Sequence, residues 1–285
     1  MAFKNGFLWG TATAAYQIEG GAGQDGRGPT VWDEFSHTPG KTSFGEHGDR
    51  ACDSYNRLDE DLALLKTLGV KAYRFSICWT RILPEGTGRL NPQGFSYYDR
   101  LIDQLLANGI IPFVTIFHWD YPLELYYKGG WLNAESPRWF ADYVEVLVDH
   151  FSDRVRYWVT QNEPECYIGN GLETGRHAPG LQLPRKQVLR AWHHNLIAHG
   201  LAVQVIREKA KLKPAIGIVS CGEVPIPLTE SREDREAAVT AMFNKKDGES
   251  LNLSFGDSLD PVILGKYPGR LIPYLPAGYE KDMET

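Results

Sequence analysis

An alternation along the chain limits its fold more than any other feature. Short runs rich in β-branched and aromatic residues fall at residues 6–16, 70–79, 110–119, 155–160 and 215–220. Longer stretches of helical period separate them, which is the pattern of βαβ units building a parallel sheet. Asp59, Glu60 and Asp61 open one helix at its electropositive end, Leu62, Leu65 and Leu68 line it, and Gly69 stops it. Residues 97–107, closed by Gly109, predict a second helix. Residues 137–151 predict a third, 186–211 a long fourth and 233–245 a fifth.

Two architectures answer that pattern. A doubly wound sheet carries a glycine-rich phosphate loop that opens a helix after an early strand. Gly20, Gly21 and Gly23 are the one candidate, and no helical pattern opens there. A (β/α)8 barrel remains. Strand starts near residues 6, 70, 110, 155 and 215 give about 52 residues per unit, so eight units would need ~420 residues. The expectation is an α/β fold of TIM-barrel type, present as about its first five βα units. Residues 1–285 then form a single, C-terminally incomplete domain.

Composition removes several classes of function. With 42% hydrophobic and 12% aromatic residues, the chain has ample material for a large core. No run approaches the roughly 20 apolar residues of a membrane span, so no membrane partner is expected. A net charge of −6 without a basic patch argues against nucleic acid. Cys52, Cys78, Cys166 and Cys221 lie far apart and read as buried thiols of a reducing compartment, not as a metal site or disulfide framework. Gly10, Thr11 and Thr13 interrupt the apolar run that a signal peptide needs. The expectation is a cytoplasmic protein with neither metal nor organic cofactor.

Barrel enzymes carry their reacting groups at the C-terminal ends of the strands. Here those ends are rich in polar and aromatic residues: Gln17 and Glu19 after the first, Arg74 and Trp79 on the second, His118-Trp119-Asp120 after the third and Asn162-Glu163-Pro164 after the fourth. Any one of them suits a capped strand end; four converging ends make a constellation. The residue types suit a carbohydrate. An indole such as Trp119 stacks on sugar C–H faces, and Gln17, His118 and Asn162 pair with hydroxyls. Glu163 stands where a general acid would, and glycoside cleavage needs such an acid together with a second carboxylate. Arg74 sits in an otherwise apolar strand, where a guanidinium calls for an anionic partner or a core ion pair.

The motifs themselves resemble family 1 glycoside hydrolases, the retaining β-glucosidases. Phe7-Leu8-Trp9-Gly10 through Tyr16-Gln17-Ile18-Glu19-Gly20 is similar to their opening strand, and Tyr73-Arg74-Phe75-Ser76 through Trp79-Thr80-Arg81-Ile82 to their second. His118-Trp119-Asp120-Tyr121-Pro122 resembles the third. Thr160-Gln161-Asn162-Glu163-Pro164 resembles the acid/base motif, with Gln161 where a hydrophobic residue is commoner. His193-His194-Asn195 to His199 and Asp260-Pro261 to Tyr267-Pro268 extend the match over essentially the whole chain.

That resemblance implies hydrolysis of terminal non-reducing β-D-glycosyl residues. Glu163 would be the general acid/base, and Gln17, His118, Trp119 and Asn162 would bind the sugar, Asn162 near its 2-hydroxyl. The family's nucleophile is a glutamate in a Thr-Glu-Asn-Gly-type motif, and this sequence contains no such tetrapeptide. Arg74 would then be the partner of a nucleophile missing from the chain. The partner expected is a small β-glucoside or oligosaccharide, with self-association through exposed barrel edges. Three alternatives stand beside this: a sugar-binding fragment or half-barrel needing a complementary chain, an inverting site using Glu223 or Asp120 as base, and a metal-dependent hydrolase built on His118 and Asp120. On the long helix pattern His193, His194 and His199 suit packing or surface roles.

Overall fold

Five parallel strands form one sheet whose spatial order is the order of the chain. A computed structural model describes residues 3–243 and 255–284. In it β1 (Gly10–Ala12), β2 (Ala72–Ser76), β3 (Ile111–Phe117), β4 (Tyr157–Asn162) and β5 (Ala215–Val219) pair successively, each parallel to the next. A doubly wound sheet reverses its order at a switch point. No reversal occurs among the described residues, and the steady progression is that of a barrel wall, five units of it. Five principal helices follow the strands in turn: α1 (Leu58–Leu68), α2 (Pro92–Ala107), α3 (Ser136–Phe151), α4 (Arg185–Lys209) and α5 (Arg232–Phe243). Residues 244 and 245, which the sequence pattern adds to the last helix, lie outside the described residues. Among the described residues no helix is long and apolar enough to cross a membrane.

Local chemistry accounts for most boundaries. In α1 the three acidic residues occupy the first turn, and Gly69 closes the helix in the left-handed conformation at φ +68°. Its buried face is Leu58, Leu62 and Leu65, whereas Leu68, expected on that face, is 66% exposed. Helix α2 starts five residues before the expected Tyr97, because Pro92 at its first position has φ already set for a helix and no N–H to satisfy. Strand β1 keeps only three of the eleven residues expected. Gly6 turns the chain at φ +86°, and Ala15–Ile18 coil into a short helix. At Gly10 a Cβ would stand 2.7 Å from the Ala72 carbonyl oxygen, so the close pairing of β1 with β2 needs glycine there.

The core lies between the sheet and its helices, with an aromatic layer above the strand ends. Trp79 stacks on Tyr143 at 4.6 Å, and Phe117 packs edge-on against Trp131, Phe140 and Tyr167. The histidines of α4 pack. His199 Nδ1 lies 2.8 Å from Thr160 Oγ1, His194 Nδ1 2.9 Å from the Trp131 carbonyl, and His193 bridges Tyr267 and Asp282.

One buried ion pair ties the first two units together. Arg81, 1% exposed, donates from Nε to Glu19 at 3.0 Å and from its terminal nitrogen to the Gly20 carbonyl. The Tyr98 hydroxyl donates to the other oxygen of Glu19 at 2.6 Å, and Arg81 lies 3.9 Å over the Tyr55 ring. Glu19 is therefore a core residue and not a rim group as its motif suggested, and the core ion pair considered for Arg74 forms at Arg81. Breaking a buried pair leaves an uncompensated charge. Arg81→Met should lower the unfolding free energy by about 3–5 kcal/mol, read by urea denaturation. A loss within the ~0–1 kcal/mol of a surface pair would show that the pair does not carry the junction.

Candidate active site

At the C-terminal ends of β2, β3 and β4 a hydrogen-bonded set forms around Arg74. The guanidinium is half-buried and donates from Nε to the Thr115 hydroxyl at 2.8 Å and from a terminal nitrogen to the Asn162 side-chain oxygen. With its oxygen turned to Arg74, the Asn162 amide nitrogen faces His118 Nε2 at 3.2 Å. An amide N–H donates, so Nε2 accepts and the neutral ring carries its proton on Nδ1. Among the described residues that Nδ1 is buried without a hydrogen-bond partner. Burial, and secondarily the Arg74 charge, push the His118 imidazole down to about 4. Trp119 Nε1 donates to the Asn162 carbonyl at 2.8 Å, which closes the set.

A register change in β4 makes this possible. Val159 pairs with Gly217 and Asn162 with Val219, so two residues of β4 oppose one of β5. In a regular strand Thr160 and Asn162 would share a face. Here consecutive side chains both reach α4: Thr160 bonds His199, and Gln161 Nε2 donates to the Asn195 carbonyl at 3.1 Å. The bulge thereby moves Asn162 to the face that holds Arg74. Gln161, unusual for its motif, finds its bond on that backbone.

Glu163 follows, half-buried, with its N–H donating to the Val219 carbonyl at 2.7 Å. It takes left-handed angles, φ +49° and ψ +61°, and Trp119 on the neighbouring strand end has φ +77°. Non-glycine residues held there carry strain of order 1–3 kcal/mol, a feature concentrated at functional sites. Pro164 then opens a short helix, Pro164–Ile168, with its fixed φ.

Not every expected residue joins this set. Gln17 lies exposed in the Ala15–Ile18 helix, and no hydrogen bond links its side chain to the others. Arg74 faces no carboxylate in an ion pair among the described residues, although the Glu163 charge acts on it. Asp120 is 1% exposed, and burial pushes its carboxyl up to about 7; Glu223 is exposed beyond β5. Two neighbours carried no sequence signal. Trp32 lies near-parallel to Trp119 at 6.4 Å, and His177 is 5.2 Å from the same indole. Among the described residues two groups of side chains could hold a metal ion, His37 with His47 and Asp49, and Glu163 with Cys166 and Cys221. Neither includes His118 or Asp120. Cys52, expected to be buried, is exposed.

Residues 1–277 match glycosyl hydrolase family 1. The chain belongs to that family. A family 1 relative, β-glucosidase A of Thermotoga maritima, is 48% identical over 286 residues, which cover 99% of this chain and 62% of the relative. A 1,4-β-D-glucan glucohydrolase of Thermotoga neapolitana is 46% identical over 290 residues, 99% of this chain and 65% of that protein. The structure of the Thermotoga maritima β-glucosidase in complex with glucoimidazole superimposes with a TM-score of 0.89 at 47% identity, covering 99% of this chain and 63% of that one. The chain thus spans under two thirds of the length of the relatives it matches. Its five strands correspond to part of their barrel.

The His118 geometry has a consequence for pH. A base whose folded pKa is lowered contributes stability above its unfolded value near 6.5, and that contribution is lost as pH falls towards 4. Nitrogen-15 spectra should show the neutral Nδ1–H tautomer of His118 down to about pH 5 and protonation near 4. Titration near 6.5, or an Nε2–H tautomer, would contradict the hydrogen-bond order.

Proposed function

We propose that these residues supply the acid/base and much of the sugar-binding half of a retaining β-glucosidase acting on terminal non-reducing β-D-glycosyl residues. The observation that carries this is Glu163, held strained at a strand end beside the Arg74–Asn162–His118 set. Glu163 protonates the departing glycosidic oxygen, then takes the proton of the water that releases the sugar. Asn162 meets the 2-hydroxyl, the half-buried His118 ring meets a neighbouring hydroxyl, and Trp119 supplies an apolar wall. Gln17, exposed after β1, completes the sugar's contacts from the rim.

Retention needs a second carboxylate about 5–5.5 Å from the first, to attack the anomeric carbon. Arg74 is where it belongs: a half-buried cation bonded only to neutral oxygens among the described residues. The sequence has no Thr-Glu-Asn-Gly-type motif to bring it, so the nucleophile enters from a complementary segment. The same observation supports a second reading, in which the 285 residues by themselves bind sugar without turning it over.

Release of nitrophenol from an aryl β-glucoside tests both readings. The chain alone should be no faster than its Glu163→Gln variant. Combined with a downstream segment bearing the Thr-Glu-Asn-Gly-type motif, it should gain turnover that Glu163→Gln reduces roughly 10²–10⁴-fold. Glu163-dependent turnover by the chain alone would instead assign the second carboxylate to a residue such as Glu223.

The same half-barrel reading concerns the edges. Each of β1 and β5 pairs on one side only among the described residues, and residues 10 and 12 of β1 are exposed. Phe3, Phe7 and Trp9 form an exposed aromatic cluster beside β1, and Val224, Ile226 and Leu228 are exposed beyond β5. Unpaired edges flanked by apolar side chains invite association. Light scattering of the chain should report concentration-dependent oligomers. A monodisperse monomer with a sharp cooperative melt would count against it.

A further inference from the structure

Two cysteines 55 residues apart meet beside Glu163. Cys166 lies in the short helix after β4, and Cys221 follows β5. Because β4 and β5 are paired neighbours, their sulfurs come within 3.2 Å. One ligand atom from each thiol and from the Glu163 carboxylate all fall within 4.8 Å of one another. All three residues are half-buried and open to solvent.

We propose that Cys166, Cys221 and Glu163 form a binding site for a thiophilic divalent cation, exemplified by zinc or cadmium. Zn–S bonds of about 2.3 Å and Zn–O bonds of about 2.0–2.2 Å place tetrahedral ligand atoms about 3.5–3.8 Å apart. The three atoms are within small side-chain adjustments of that spacing, whereas a disulfide would need the sulfurs to close to about 2.05 Å. Soft thiolates select this class of ion over magnesium or calcium. Three protein ligands leave the fourth position for water. The surroundings suit a cation as well. Glu165, 3% exposed, accepts the Cys221 N–H at 2.7 Å and the Ser220 hydroxyl with one oxygen, which fixes the Cys221 backbone, and among the described residues its other oxygen has no hydrogen-bond partner.

On binding, each thiol loses its proton to solvent and each sulfur forms a bond to the metal. Glu163 binds as the carboxylate, and nothing is oxidised or reduced. The site stands on its three ligands alone. Its consequence, that a bound ion occupies the carboxylate and stops proton transfer, rests on the assignment of Glu163 as acid/base.

Cadmium titration of the reduced 285-residue chain tests the site without any activity measurement. A Cys52→Ser background removes the exposed, isolated thiol. The ultraviolet thiolate-to-cadmium band should saturate at one ion per chain. It should be lost in Cys166→Ser and in Cys221→Ser, and its affinity should fall roughly 10-fold or more in Glu163→Gln. In the parent chain, which needs no substitution at the site, bound cadmium should protect Cys166 and Cys221 together from iodoacetamide, as mapped by mass spectrometry. A band that survives either cysteine substitution, an affinity unchanged in Glu163→Gln, or independent alkylation of the two thiols would overturn the proposal. If the site binds cadmium as expected while the nitrophenol assay fails, the ion site stands and only its effect on turnover is withdrawn.

Discussion

A guanidinium placed inside a sheet without an ion-pair partner among the described residues is what the rim of this partial barrel is arranged around. In its half-buried position Arg74 commits two donors, one to a hydroxyl from β3 and one to an amide oxygen from β4. Those bonds decide more than the fate of one charge. They orient the Asn162 amide, which selects the protonated nitrogen of His118, which leaves a buried donor uncommitted. Proton position on one strand is thus set by a cation on another, with no metal or bound group needed to impose it. Neutral acceptors take two of the hydrogen bonds of Arg74 but do not offset its charge, so the site is electrostatically biased towards an anion.

The second arginine of the same segment plays the opposite part. Arg81 meets Glu19 fully buried, with Tyr98 and Tyr55 around the pair, and holds the loop after β1 against the end of β2. One arginine closes the fold and the other leaves the site open. The six residues between them carry the chain from β2 into the short Trp79–Ile82 helix, so a strand interior and a loop anchor are served by one stretch of sequence.

What could be read in the sequence follows from the range of the forces involved. Period and composition are local, so all five strands and the five long helices were legible, and the sequential order of a barrel wall with them. Boundaries shifted where one residue overrides a pattern, as Pro92 does at the start of α2 and Gly6 does before β1. The site was legible as residue types at strand ends, and His118, Asn162, Glu163 and Arg74 do come together. Glu19 was misplaced because a carboxylate on a rim motif looks the same in sequence as one paired in the core. The contacts of Trp119 with Trp32 and His177, and the meeting of Cys166 with Cys221, were beyond reach, since only the pairing of strands sets those distances. The family match, by contrast, is carried by motifs taken in order and needs none of these distances.

The extra residue in β4 also changes what its motif means as a unit of inheritance. A strand is a two-state counter: each residue added or removed upstream of a side chain exchanges its face. Between Val159 and Asn162 the count is odd on one strand and even on its neighbour, so the letters Asn162-Glu163 point into the site only by virtue of that mismatch. Straightening β4 without removing a residue would preserve every residue named here as chemical machinery, and would still turn Asn162 towards α4. Grafting the motif onto a regular strand would do the same. The functional unit in this part of the chain is therefore a register, and the residues are its cargo.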